Sequence, residues 1–298
     1  GILSSTGIPN PPTSVYVMAI PLSLSSNPNV AIHFVMLLNV IGVGILWLIA
    51  HRYFGQIVGI ITGLLYAINP WAVLFSRKIW AQDFHTPFIL LGILLLLYGF
   101  WESHQNNRWR HRTAQAFSTP ILIFAFQIHF ASWAIAPIIL LSYWIGRKRI
   151  SWISLAITVV LSTGIIAPYI IGLTQTLEQD PTRISDAAGR SSASEGITLT
   201  LESIHDSILL ASGTGLETWV APDQQNDLSS TYPPLSQLGL FLTCMIPLGL
   251  FVLWRKNRQI LALIIIWGFL AQLILIPSWT PIYIHYFIPA IPAMLLLS

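Results

Sequence analysis

Charge is the scarcest thing in this sequence: Asp, Glu, Lys and Arg make up only 8% of its 298 residues, against 54% apolar residues. A water-soluble domain of this length needs a charged, wet surface, so this balance argues against one and calls for lipid over much of the chain. Cysteine is nearly absent. The lone Cys244 lies inside an apolar run, which rules out an internal disulfide framework and leaves the redox compartment unread. Metal-ligand spacings, a phosphate-cradling glycine loop and a nucleophile elbow are all missing, so no cofactor is expected, and a need for a divalent ion stays open. The basic residues are scattered among separate loops and give no nucleic-acid footprint. No fixed-period repeat or low-complexity tract is present.

What is there is a series of apolar runs of the length needed to cross about 30 Å of hydrocarbon, roughly 20 residues each. They cover 29–50, 56–75, 86–101, 151–173, 235–254 and 260–276. Each is expected to be helical, because a segment in lipid must satisfy its own backbone hydrogen bonds. The expected fold class is therefore all-α, a polytopic transmembrane bundle with one extracytoplasmic loop region, forming a single transmembrane domain over 1–298. The chain opens at Gly1 and stops at Leu297-Ser298 within an apolar run, which reads as a fragment cut at both ends.

Orientation comes from the distribution of charge rather than from the net +3. Basic residues gather at Arg52, at Arg108, Arg110 and Arg112, at Arg147, Lys148 and Arg149, and at Arg255, Lys256 and Arg258. The positive-inside rule makes those four loops cytoplasmic. Asp83 and the acidic residues between Glu178 and Asp227 then face outward.

The stretch 117–146 lies between two basic flanks and must cross an even number of times. As one helix its 30 residues would run about 45 Å, so two short helices, 117–129 and 131–146, turning near Gln127-Ile128-His129, are expected, with a tilted single span as the alternative. With a last span over 284–298 the count is nine crossings. Residues 1–28 form an outer juxtamembrane segment, in which the short run 15–24, interrupted by Pro21, suits the interface better than a crossing. The outer loop 174–234 is the one long polar stretch. Its Ser-rich part from Thr182 to Thr200 reads as mobile, whereas 201–212 has apolar residues at helical spacing and fits an amphipathic helix lying at the surface.

Chemistry concentrates in SRKIWAQDFHTPF, Ser76 to Phe88, which joins two spans on the outer side. If helical, it sets Lys78, Gln82 and His85 on one face and Trp80 with Arg77 on another. Arg77 and Lys78 would supply charge-assisted hydrogen bonds to a phosphate, and Trp80 an apolar platform for a sugar ring. The competing reading makes Arg77 and Lys78 lipid-headgroup anchors, Trp80 part of the aromatic belt, and Thr86-Pro87 a helix start. Two basic residues on the outer face favour function. Asp83 has three open roles: general base, ion-pair partner or helix cap. A second constellation, IYIHYFIP at 282–289, offers His285 and Tyr286 to a headgroup or phosphate, with interfacial anchoring as its alternative. His129, at the expected turn, reads as a satisfied polar residue.

Four patterns carry a resemblance: GIPNPPTSVYVMAIP, a span ending in AHRYFG with the next starting at Gln56, LLYAINPWAVLFSRKIWAQDF, and HYFIPAIPAMLLL. The third is the most specific. Together they resemble the polyprenyl-phosphate-sugar-dependent glycosyltransferases of the GT-C fold, in the protein-mannosyltransferase and aminoarabinose-transferase-like group (glycosyltransferase family 39-like). The resemblance implies a multi-pass enzyme, its site facing outward from a bacterial cytoplasmic membrane, that moves a sugar from a lipid-phosphate carrier to an acceptor with inversion. It implies Arg77, Lys78 and His285 at the donor phosphate, while the residue types themselves offer Trp80, Gln82, His85 and Tyr286 to sugar or acceptor. It also places an acidic pair in the first outer loop, upstream of Gly1, as the main base, with Asp83 as the candidate within the chain. A transporter and a catalytically inactive scaffold are the alternatives, but transporters carry ionisable groups at membrane depth, and these span interiors have almost none.

Overall fold

The structure, a computed structural model, describes residues 10–102, 108–182, 198–216, 233–278 and 282–298. Most of the Ser-rich stretch, and Asp186, Glu195, Glu217, Asp223 and Asp227, lie outside the described residues.

Helix α1 (Thr13–Leu24) carries Pro21 within it and packs on α2 and α7. α2 (Pro28–Phe54) begins where the Asn27 side chain accepts the Asn29 N–H and Pro28 fills the first turn, and its 27 residues reach about 40 Å. It stops at Gly55, whose φ of 107° reverses the chain into α3 (Gln56–Ile68). The two helices then run in close contact, because a Cβ on Gly59 would lie 2.8 Å from the His51 backbone and one on Gly63 3.2 Å from Trp47. A Gly-x-x-x-Gly stripe lets helices approach this closely in lipid.

Short α4 (Pro70–Phe75) and α5 (Ala81–Phe84) lead into α6 (Thr86–Leu96), which ends in a π turn, Leu97–Trp101. α7 (Arg108–Ile128) starts well before residue 117 and breaks at an extended His129. A 3-10 turn (Phe130–Ile135) and α8 (Pro137–Gly146) follow. The stretch doubles back: Gln115 of α7 bonds Arg149 O at one end, and a Cβ on Gly146 would meet Phe100 at 2.7 Å beside it. Pro137 sits in the first turn of α8, where its missing N–H leaves no helical bond unmade.

After a turn at Arg147–Arg149, α9 (Trp152–Gln179) packs on α7. It is reversed relative to a soluble helix. Ser154 and Thr158 are buried and donate to Arg112 O and Ala116 O at 2.9 and 3.1 Å, while Trp152, Ile153, Val159, Val160 and Ile171 point outward. That arrangement fits a lipid surround, where apolar side chains gain nothing by turning inward and hydroxyls gain a partner.

α10 (Glu202–Ser212) corrects the expectation of a helix lying at the surface. Its face of Ser203, Ser207, Leu210 and Ala211 is buried against the last helices. Ser203 Oγ donates to Gln272 O at 3.0 Å and Gln272 Nε2 to Ser207 Oγ at 2.8 Å. α11 (Pro233–Lys256) and α12 (Arg258–Ile274) form a hairpin, and Asn257 caps α12 by accepting the Gln259 and Ile260 N–H groups. A two-residue antiparallel pair, Thr198–Leu199 with Pro277–Ser278, is the one strand pairing among the described residues.

The last stretch is a 3-10 turn, Ile284–Ala290, followed by α13 (Ile291–Leu295). It is almost wholly buried, and Trp267 Nε1 donates to Pro289 O at 2.7 Å. A single helix from 284 is thus replaced by a centrally packed segment interrupted at its prolines.

Among the described residues, four helical stretches are long and apolar enough to cross a membrane: Pro28–Phe54, Phe130–Arg149, Trp152–Gln179 and Gln237–Lys256. Five shorter apolar helices accompany them. The fold class is the expected one, a polytopic bundle of an integral membrane protein.

One end of the bundle is basic. There Glu102 accepts from Arg52 Nη2 at 2.7 Å and from Tyr53, and its backbone carbonyl accepts from Arg149 at 2.7 Å. The far end is tied by Asn69, whose Nδ2 donates to Leu210 O at 2.8 Å, and by Trp71 Nε1, which donates to Thr214 O at 2.7 Å.

Candidate functional site

The segment after α4 is not the continuous helix that residue spacing suggested. The Ser76 hydroxyl turns back onto Val73 O at 2.8 Å, and Arg77 and Lys78 follow in turns. Helix resumes only at Ala81, so Lys78 does not continue a helical face through Gln82 and His85. The turn instead folds the Lys78 ammonium over two rings, 5.6 Å from the Phe75 centroid and 5.3 Å from that of Trp80, within cation–π range. Arg77 is exposed.

The single turn of α5 is pinned from both ends. Asp83 Oδ2 accepts the Trp80 N–H at 3.1 Å, the Asp83 N–H returns to Trp80 O at 3.0 Å, and Asn39 Nδ2 of α2 donates to Asp83 O at 2.8 Å. Asp83 therefore caps the helix, one of its three expected roles. Its carboxyl is 2% exposed and Oδ1 has no hydrogen-bond partner. Burial pushes its pKa up to about 7, against the opposing pull of the Trp80 N–H and of Lys78.

His85, expected at the sugar, is fully buried at 0% exposure, and Gln82 is nearly so at 9%; both stand behind the surface rather than on it. The Gln82 carbonyl can only accept, so His85 Nδ1 carries the proton of their 2.7 Å bond and Nε2 is left as a buried, unpartnered acceptor. Burial and the neighbouring His129 push this imidazole down to about 3.

The two sequence constellations meet here. Trp80 stands edge-on to His285 with centroids 6.3 Å apart, and His285 packs on Tyr286 at 4.9 Å and on Tyr283 at 5.5 Å. Between them sits His129, 5.6 Å from His85, 6.0 Å from His285 and 6.0 Å from Tyr286. The residues missed from the sequence are His129 and Tyr283. His129 is not the satisfied polar residue expected, since its Nδ1 is buried without a partner. Its signal was present: a histidine at the break of an apolar stretch needs a polar neighbour from elsewhere in the chain. Among the described residues, no group of three or more His, Cys, Asp or Glu is arranged to hold a metal ion.

The wall so formed has a cation at its mouth, a half-exposed indole beside it and a file of imidazoles behind. Such a surface suits an anionic group joined to an apolar-faced ring.

The family model described as dolichyl-phosphate-mannose-protein mannosyltransferase matches residues 9–171, more than half of the chain. The chain belongs to that family. No curated protein matches it. Among solved structures, ArnT from Cupriavidus metallidurans in the apo state is 15% identical, with a TM-score of 0.67 over 98% of this chain and 49% of that one. ArnT from the same organism bound to undecaprenyl phosphate is also 15% identical, with a TM-score of 0.62 over 98% of this chain and 50% of that one. The fold is GT-C, as the sequence resemblance implied, and this family member spans about half the length of those chains.

Proposed function

We propose that this protein is a membrane glycosyltransferase that moves a sugar from a polyprenyl-phosphate carrier to an acceptor, with inversion at the anomeric carbon. The observation that carries the reading is the meeting of Lys78 and Trp80 with His285 and Tyr286 at the end of the bundle opposite the basic loops. By the positive-inside rule that end faces outward from the cytoplasmic membrane.

In this reading Lys78 and Arg77 neutralise the phosphate as it leaves, which lowers the barrier by favouring the charge that develops there. His285 donates to the same phosphate. Trp80 and Tyr286 supply faces for the sugar ring, and Gln82 and His85 act as positioning residues that hold His129 and Trp80 from behind. Asp83, with Oδ1 free and a pKa near neutrality, is the carboxylate of this site suited to take the acceptor's proton. The acidic pair that the family resemblance places upstream is the other candidate base. The undecaprenyl phosphate in the ArnT crystal structure supports a carrier of this chemical class.

The test is transfer of radiolabelled sugar from a polyprenyl-phosphate donor in membranes carrying the full-length protein, with Lys78→Ala and Arg77→Ala alongside wild type. We expect Lys78→Ala to lose about tenfold or more of the transfer at unchanged membrane levels, in line with loss of one transition-state charge contact. Wild-type rates in both variants would return the segment to a membrane anchor.

A further inference from the structure

A second charged feature lies at the other end of the molecule, in the turn of the α11–α12 hairpin, where nothing in the proposed reaction takes place. α11 starts beside the end of α10, since a Cβ on Gly239 would meet Thr214 and Ser212, and it runs to the basic end at Lys256. Trp254, Arg255, Lys256 and Arg258 line a half-open cavity of about 370 Å³ there.

The cations of this turn differ from Arg52, at the same end of the bundle, which has a carboxylate partner. Arg52 pairs with the Glu102 side chain, and Arg149 donates to the Glu102 backbone carbonyl. Arg255, Lys256 and Arg258 make no ion pair among the described residues, and Arg255 instead lies over the rings of Phe251 and Trp254 at 5.9 and 5.8 Å. Three like charges converging on one concavity repel each other, and an anion placed among them removes that repulsion. The positive-inside rule accounts for the sign of the loop but not for a cavity.

The surroundings specify the source of the anion. Below the cavity, the outer face of α11 presents Leu248 at 50%, Phe251 at 53% and Trp254 at 48% exposure, a continuous apolar strip leading to the basic turn. An aqueous ion would have no use for that strip, whereas an acyl chain would lie along it with its headgroup in the turn. Asn257 uses its side chain to cap α12, so the turn is held in one shape rather than frayed.

We propose that this turn is a binding site for the phosphate headgroup of an anionic membrane lipid, with Arg255, Lys256 and Arg258 on the phosphate and Trp254 at the interface above the acyl chains. Basic pockets between transmembrane helices take such headgroups. The site is separate from the wall of Lys78 and Trp80 and does not depend on the proposed transfer reaction.

The experiment is native mass spectrometry of the full-length protein in a neutral detergent, titrated with phosphatidylglycerol or with phosphatidylcholine. Wild type should retain one phosphatidylglycerol at concentrations where phosphatidylcholine is not retained. Each cation near an anionic headgroup is worth about fivefold in binding, so the triple variant Arg255→Gln, Lys256→Gln, Arg258→Gln should bind roughly a hundredfold more weakly. A control triple variant, Arg108→Gln, Arg110→Gln, Arg112→Gln, removes the same charge from another loop of the same end and should retain the lipid. Single Arg258→Gln should show an intermediate loss, which guards against misfolding of the triple variant. Equal retention by the first triple variant, or equal loss by the control, overturns the site. Inorganic phosphate that displaces the lipid and binds alone with similar affinity overturns the lipid assignment.

Discussion

Replacing Gln115 by leucine should destabilise the basic end of the bundle out of proportion to the size of the change. The side chain is 2% exposed and of nearly the same volume as leucine. Its Nε2 donates to Gly99 O of the π turn at 2.8 Å and to Arg149 O at 3.1 Å, and its Oε1 accepts the Ser151 N–H at 3.0 Å, ahead of α9. One amide thus joins three segments whose backbones have left regular helix. Leucine removes all three partners. The Gly99 carbonyl is buried and forfeits its full desolvation penalty of about 1–3 kcal/mol, whereas Arg149 O and Ser151 N are partly accessible and lose less. The sum is about 3 kcal/mol, or a fall of roughly 6 °C in melting midpoint. Intrinsic tryptophan fluorescence of purified protein in detergent reads this directly, with Gln115→Glu as a companion that keeps the acceptor. A leucine variant that melts within a degree or so of wild type would show that these three groups are satisfied elsewhere and that the amide is not the staple described.

Three further outcomes follow from other parts of the structure. The Asp83 carboxyl has a folded pKa of about 7 against an ordinary 3.8, so the folded state binds more protons between those values and stability falls as pH rises from about 4 to 7; thermal melting should show that slope in wild type and not in Asp83→Asn, and identical slopes would refute it. Gly59→Ala places a methyl 2.8 Å from the His51 backbone, which should push α2 from α3 and cost about 1–3 kcal/mol, while the same change at Gly44, which has open space around it, should be silent. Glu102→Gln weakens the clamp on Arg52 and Tyr53, and because the Arg52 side chain is 40% exposed the loss should be about 1 kcal/mol at low salt and smaller at high salt.

Much of the scaffold was legible because lipid imposes one rule on every segment: apolar length means helix. The break at His129 could be read from the excess length of 117–146 between two basic flanks. Where the reading failed, the missing information was tertiary. Nothing local marks Ser76 as the point where α4 ends, since its hydroxyl bond to Val73 O is available to any helical serine. In α10 the apolar spacing suits a helix at the surface, yet Ser203 and Ser207 point inward because Gln272, far along the chain, supplies their partner. The candidate site was half visible: each constellation held the right residue types, but only folding brings Trp80 to His285 and inserts His129 between His85 and Tyr286.

The reversed packing of α9 has a consequence for how errors along it are felt. Its grip on the bundle rests on hydroxyls, so a mutation that makes it more oily at Ser154 or Thr158 weakens the hold, and one that makes it more polar at Val160 leaves the hold intact but taxes insertion. Detergent chemistry then becomes a structural variable for this helix, because a micelle that wets its outer face poorly acts on the same apolar residues that face hydrocarbon in a bilayer.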